Sequence, residues 1–133
     1  MKKKPTIAAF YTKNQVCFDS IRERSYSQSP LKPYLLMQKI ERSEHHAHFD
    51  ILPDFKPFQH EDFLLAHSPE YVSNFFNQTG NYRSNGIPWS ENLATSVRYT
   101  NSAIYHAIKH SLEHPDQLCF APVSGMHHAT PHA

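Results

Sequence analysis

At 133 residues, 39% apolar and 19% charged, the chain has room for one domain with a core of its own and excludes a disordered or multidomain protein. A formal net charge of +1 leaves no broad electrostatic field for nucleic acid or an anionic membrane. The basic opening "MKKKP" leads only into "TIAAF" before the chain turns polar, too short for a signal-peptide core or a membrane span, so the expected location is cytoplasmic.

In chain order, "TIAAFYT" (6–12) is a β-branched and aromatic run that predicts a first buried strand. The polar stretch "KNQVCFDSIRERSYSQ" has no clean period. "SPLKPYLLMQKIERSE" predicts a helix with Ser29 as N-cap and Pro30 at its first position, its apolar face carried by Leu31, Leu35, Leu36 and Ile40. "FDILPDFKPF" (49–58) reads as a short strand or extended connection bounded by Pro53 and Pro57.

"HEDFLLAH" is a brief helix. "SPEYVSNFFNQTG" is another, capped by Ser68, stopped by Gly80 and buried through Val72, Phe75 and Phe76. After the loop "NYRSNGIPW", the longest helix runs from a Ser90 cap to about His114, with Leu93, Val97, Ile104, Ile108 and Leu112 as its core face. "QLCFAPV" (117–123) predicts a second convincing strand, apolar enough for burial on both faces. Strand, helix, strand, helices, strand argues for an α/β architecture, a parallel sheet sandwiched by helices.

Ligands of open α/β sheets bind beyond the carboxyl ends of the strands. "SGMHHA" (124–129) lies there, and its adjacent His127 and His128 could hold one neutral ring as a base and one charged ring as an acid or electrostatic stabiliser. Alone, two such residues are more readily an incidental pair of loop histidines. A nucleophile elbow is excluded because Pro122 stands where Gly-x-Ser-x-Gly needs its first glycine. "EHHAH" (44–48) could bind a transition metal loosely, or simply place polar side chains at a helix end. His106, His110 and His114 repeat every fourth residue on the long helix, a metal ladder or, by the apolar pattern beside them, an exposed polar stripe. Cys17 and Cys119, the only cysteines, form no CxxC or zinc-finger spacing, and Cys119 reads as a buried inert thiol.

Four segments in one order carry a resemblance: "SYSQSPLKP", "EDFLLAHSPEYV", "NGIPWSENLATSVRYTNSAIYHAI" and "APVSGMHHA". Together they resemble the N-terminal part of the histone deacetylase and acetylpolyamine amidohydrolase superfamily, especially its bacterial deacetylase-like members. The last segment is similar to that family's Pro-x-Ser-Gly-aromatic-His-His-Ala, with Met126 in place of the aromatic residue. The resemblance implies a three-layer parallel-sheet sandwich of the arginase-deacetylase type, with residues 1–133 as its first strands and flanking helices. It further implies a zinc-dependent amide hydrolase acting on acetylated lysine side chains, polyamines or similar small amides, with His128 as general base and His127 as its charge-stabilising partner.

The family's zinc ligands, an Asp-x-His motif and a further Asp, map onto no residue of this chain. Two histidines without a metal would supply only about 10²–10⁴-fold catalysis, so these 133 residues are expected to be inactive alone. A sheet ending at strand 117–123 would leave an unpaired edge, and self-association through it, or marginal stability, is the expected result. The alternative is a complete small binding or assembly protein that retains the family's early elements without catalysis.

Overall fold

The computed structural model describes residues 5–21, 28–80, 87–124 and 129–132. Three strands, β1 (Ile7–Phe10), β2 (Phe49–Leu52) and β3 (Cys119–Phe120), form one parallel sheet in the order β2-β1-β3. Ala8 faces Asp50 on one side and Cys119 on the other, so β1 is the central strand. The four principal helical elements are α1 (Lys32–Glu41), α2 (His60–Phe63), α3 (Pro69–Asn77) and α4 (Glu91–Glu113). The α/β class with a parallel sheet is therefore as the sequence predicts.

Alternation along β1 sorts its side chains between two helical layers. Ala8 and Phe10 meet Ala103 and Ala107 of α4, joined by Leu52, Phe55 and Cys119. Tyr11 points the other way, into a cluster with Val16, Leu31 and Met37, joined by Tyr34, Ile40 and Phe120, so α1 covers that face. A third cluster packs Phe75 of α3 against Leu93 and Ala94 of α4, with Cys17 beside them. Ala8, Ala9 and Ala103 have 0% exposure; methyl groups at the contact let helix and strand backbones approach closely.

The two longer local start signals hold. Ser68 Oγ accepts from Tyr71 N–H at 3.3 Å, and Ser90 Oγ accepts from Leu93 N–H at 3.0 Å, each satisfying a first-turn donor. α3 ends through Gln78, whose φ of 57° is left-handed, followed by Gly80 at φ 56°. A Cβ at Gly80 would lie 2.8 Å from Asn74, which explains glycine there.

Five expectations, concerning α1, α4 and β3, need correction. Ser29 does not cap α1: a 3₁₀ turn over Ser29–Leu31 precedes the helix. That turn winds about 120° per residue against about 100° in an α-helix, rotating the buried stripe onto Pro33, Met37 and Ile40 and leaving Leu35 and Leu36 exposed.

On α4, Leu93 is buried as expected and Val97 and Ile104 are half-buried. Ile108 and Leu112, however, are 57% and 79% exposed, and Thr100, Ala103 and Ala107 take the inner face. Close approach to Ala8 admits small side chains there and excludes large ones. The histidine stripe is correspondingly not a fully exposed one, because His106 and His110 are half-buried against Phe10. Finally, β3 is two residues long and half-buried, with Leu118 73% exposed, because it lies at the sheet edge with β1 as its one neighbour among the described residues.

Candidate functional site

The chain leaves β1 to build α1 and β2 on one side, then returns through α4 to lay β3 on the other. In open α/β sheets ligands bind beyond the carboxyl ends of the two strands that flank such a reversal, which here are β1 and β3. Phe10, the last residue of β1, lies just past the Ala9–Phe120 pair, so the ladder has ended and the two chains are free to diverge.

Gln15 fills the divergence. It stands in a short 3₁₀ turn (Lys13–Gln15) entered through Thr12, whose N–H donates to Gln15 Oε1 at 3.1 Å. Gln15 Nε2 donates to the Pro122 carbonyl at 2.6 Å and to the Phe10 carbonyl at 3.4 Å. At 1% exposure, this amide has exchanged water for three backbone partners and ties the end of β1 to the segment leaving β3. Thr100 of α4 adds a 3.5 Å hydroxyl contact to the Gln15 carbonyl.

Two residues past Pro122, Ser124 Oγ lies 2.9 Å from Ser29 Oγ. The Ser29 side chain therefore joins the β3 exit to the start of the α1 region. Beyond the histidine pair, the Pro131 carbonyl accepts from Ser68 N–H at 2.9 Å, at the cap of α3. His127 and His128 themselves, with Gly125 and Met126, lie outside the described residues. What the structure describes is the ground on either side of them: Pro122 and Ser124 before, Ala129 and Pro131 after.

Sequence reasoning missed Gln15. A signal was present, since Thr12-x-x-Gln15 has capping-box spacing immediately after a predicted strand.

On the α1 face, the Tyr11 hydroxyl is buried and has no hydrogen-bond partner among the described residues. Burial, with Glu41 and Tyr34 adding repulsion, pushes its pKa up to about 12. The neutral phenol is thus favoured by folding, and the sign follows: this contribution is complete below the ordinary value of 10 and is lost as pH rises through about 12. An ultraviolet titration should show one tyrosine ionising around 12, together with loss of near-ultraviolet circular dichroism. Ionisation of every tyrosine near 10 with the fold intact would refute this burial.

On the α4 face, burial followed by the charge of Lys109 holds His106 below the usual imidazole range. Its ring lies 5.6 Å from Phe55 and 6.3 Å from Phe10. Burial also raises the Cys119 thiol, consistent with an unreactive side chain.

No three His, Cys, Asp or Glu side chains among the described residues converge closely enough to hold a metal ion. The 3₁₀ turn Glu44–His48 is exposed, with His46 Nδ1 at 2.9 Å from the Ser43 carbonyl and the His45 and His48 rings 6.2 Å apart. The described part of the chain therefore does not fit the three-ligand zinc centre that the resemblance implies. Among the described residues, no helix is long and apolar enough to cross a membrane.

Compared with known proteins, the chain matches no family model, no curated protein and no solved structure.

Proposed function

We propose that residues 1–133 are the N-terminal part of a zinc-dependent, deacetylase-like amide hydrolase of arginase-deacetylase architecture, and that they contribute His127 and His128 to its active site. The observation that carries this reading is the placement of Ser124, the described residue that opens "SGMHHA". Ser124 follows the carboxyl end of β3, on the side of the sheet where strand order reverses and where Gln15 ties Pro122 to the end of β1. This is the end at which open α/β sheets bind ligands. In this reading His128 accepts the proton of the attacking water. His127 stabilises the developing charge and delivers a proton to the departing amine. Zinc would be held by residues other than those described, and the substrate is an acetylated lysine side chain, polyamine or similar small amide.

The test is to isolate from native cells whatever species carries residues 1–133, measure its mass and zinc content, and assay hydrolysis of acetyl-lysine and acetylpolyamine substrates. The expected species exceeds 15.4 kDa, contains zinc, and loses about 10²–10⁴-fold of its activity on His128→Ala. A native species of 15.4 kDa that hydrolyses no acetylated amide would refute the reading.

Exposed apolar residues support a second reading, a non-catalytic assembly module. Ile108 and Leu112 on α4, and Leu118 beside the edge strand β3, all face solvent. In this reading, the 133-residue chain self-associates through that region. Sedimentation velocity should show a concentration-dependent oligomer that the double variant Leu112→Glu, Leu118→Lys converts to monomer. A wild-type chain that stays monomeric with a sharp, high melting transition would exclude it.

A further inference from the structure

The last turn of α4 carries a histidine pair that deacetylase chemistry does not use. His110 and His114 stand one helical turn apart, with ring centroids 4.3 Å from each other and ring planes at 37°. His114 is exposed and His110 half-buried, so neither ring is enclosed in the core. We propose that these two imidazoles form a site for a divalent transition-metal ion with a preference for nitrogen ligands, copper(II) foremost.

A chain of hydrogen bonds selects the tautomer of the neutral His110 ring. Asp50 on β2, as a carboxylate, can only accept, and the Thr6 hydroxyl donates its proton to it. The Thr6 oxygen is then the acceptor for Gln117 Nε2, 3.3 Å away. This orients the Gln117 amide with its oxygen toward His110 Nε2, at 2.8 Å. A carbonyl oxygen accepts, so His110 Nε2 carries a hydrogen and the lone pair of the neutral ring resides on Nδ1.

Metal-binding histidines have this arrangement. The nitrogen remote from the metal donates to a carbonyl or carboxylate, which fixes the tautomer and makes the ring a better ligand. Here that outer support spans the start of β1, β2 and the turn after α4, so the ligand is oriented by the fold rather than by its own helix.

Two further features suit a cation. The site lies at the helix C-terminus, where the last carbonyls carry partial negative charge. Spacing of four residues puts both rings on one face, a geometry that suits two-imidazole chelation. Two protein ligands leave positions open to water, which favours copper(II) or nickel(II) over a closed structural zinc centre. His106 is excluded because its ring is flanked by Phe10 and Phe55.

The experiment titrates the whole chain with copper(II) alone, and in parallel with zinc(II) alone, by calorimetry. Electron paramagnetic resonance counts the nitrogens on copper. A one-to-one site with two imidazole nitrogens is expected, retained when His45, His46 and His48 are all replaced by Gln. His114→Gln, at an exposed cap position that leaves the circular dichroism unchanged, should weaken copper binding by at least about tenfold. Gln117→Leu should weaken it by about 10- to 100-fold while leaving both ligands in place. Unchanged affinity in His114→Gln would overturn the proposal. So would loss of binding only in the His45/His46/His48 variant, or only when His127 and His128 are replaced.

Discussion

Replacing Gln15 with Leu is expected to destabilise the fold by about 3–5 kcal/mol, lowering the melting temperature by roughly 10–20 °C. Leucine is branched and somewhat larger than glutamine, so it leaves no cavity; repacking adds a share of the loss, and the larger share is polar. The Pro122 and Phe10 carbonyls lose their shared donor, and the Thr12 N–H loses its acceptor, at a position with 1% exposure. Each buried polar group left without a partner costs about 1–3 kcal/mol.

Gln15→Glu separates this account from a general intolerance of change. The carboxylate would face two carbonyl oxygens, so folding would raise the carboxyl pKa above its ordinary value of about 4.3. Stability would be greatest below that value and would fall as pH rises from it toward neutrality. A Gln15→Leu protein melting within a few degrees of the wild type would show that the amide does not hold the ends of β1 and β3 together.

Phe10→Ala should cost about as much, about 3–5 kcal/mol, for a different reason. The Phe10 ring fills the space between sheet and α4, 5.5 Å from the His110 ring and 6.2 Å from that of Phe55. Its removal leaves a cavity that α4 cannot close, because Ala8 and Ala103 already hold the two backbones near contact.

A second consequence is electrostatic. Burial depresses the His106 pKa, so its contribution to stability is present above the ordinary value of about 6.5 and is lost as pH falls from there through the lower folded value. In Phe10→Ala, water reaches that ring, the His106 pKa should rise in an NMR titration, and the acid-side loss of stability should shrink. An unchanged His106 titration would mean that Phe10 is not what keeps the ring dry.

The sequence was most informative where an interaction spans few residues. Ser68 and Ser90 meet the backbone three positions on, and both helix starts were legible for that reason. β1 and β2 were legible from short apolar runs bounded by turn residues. The bond between Gln15 and Pro122 crosses 107 positions, and no local pattern carries that information. The stripe on α1 was misread because a 3₁₀ turn changed the phase at its start. The stripe on α4 was misread because apolar size is a poor guide where closeness demands alanine: Ala103 and Ala107 lie inside while Ile108 and Leu112 face outward. At the candidate site, the contacts of Pro122 and Ser124, which precede the histidine pair, emerged from the fold. The roles of His127 and His128 rest on motif resemblance.

The central place of β1 also has a consequence for the timing of synthesis. Its edge toward β3 must wait for partners far along the chain, since Thr6 and Gln117, which bond beside that junction, are 111 positions apart. At about 5–20 residues per second, a ribosome needs roughly 6–22 s to make that interval. Once β2 has been made, it is the one strand of this sheet with which β1 can pair until β3 follows. The nascent chain therefore passes through a two-stranded stage with an open edge, and long-range parallel pairing makes the closing step slow. Until α4 is made, Ala8 and Phe10 lack the cover that Ala103 and Ala107 give them in the folded chain.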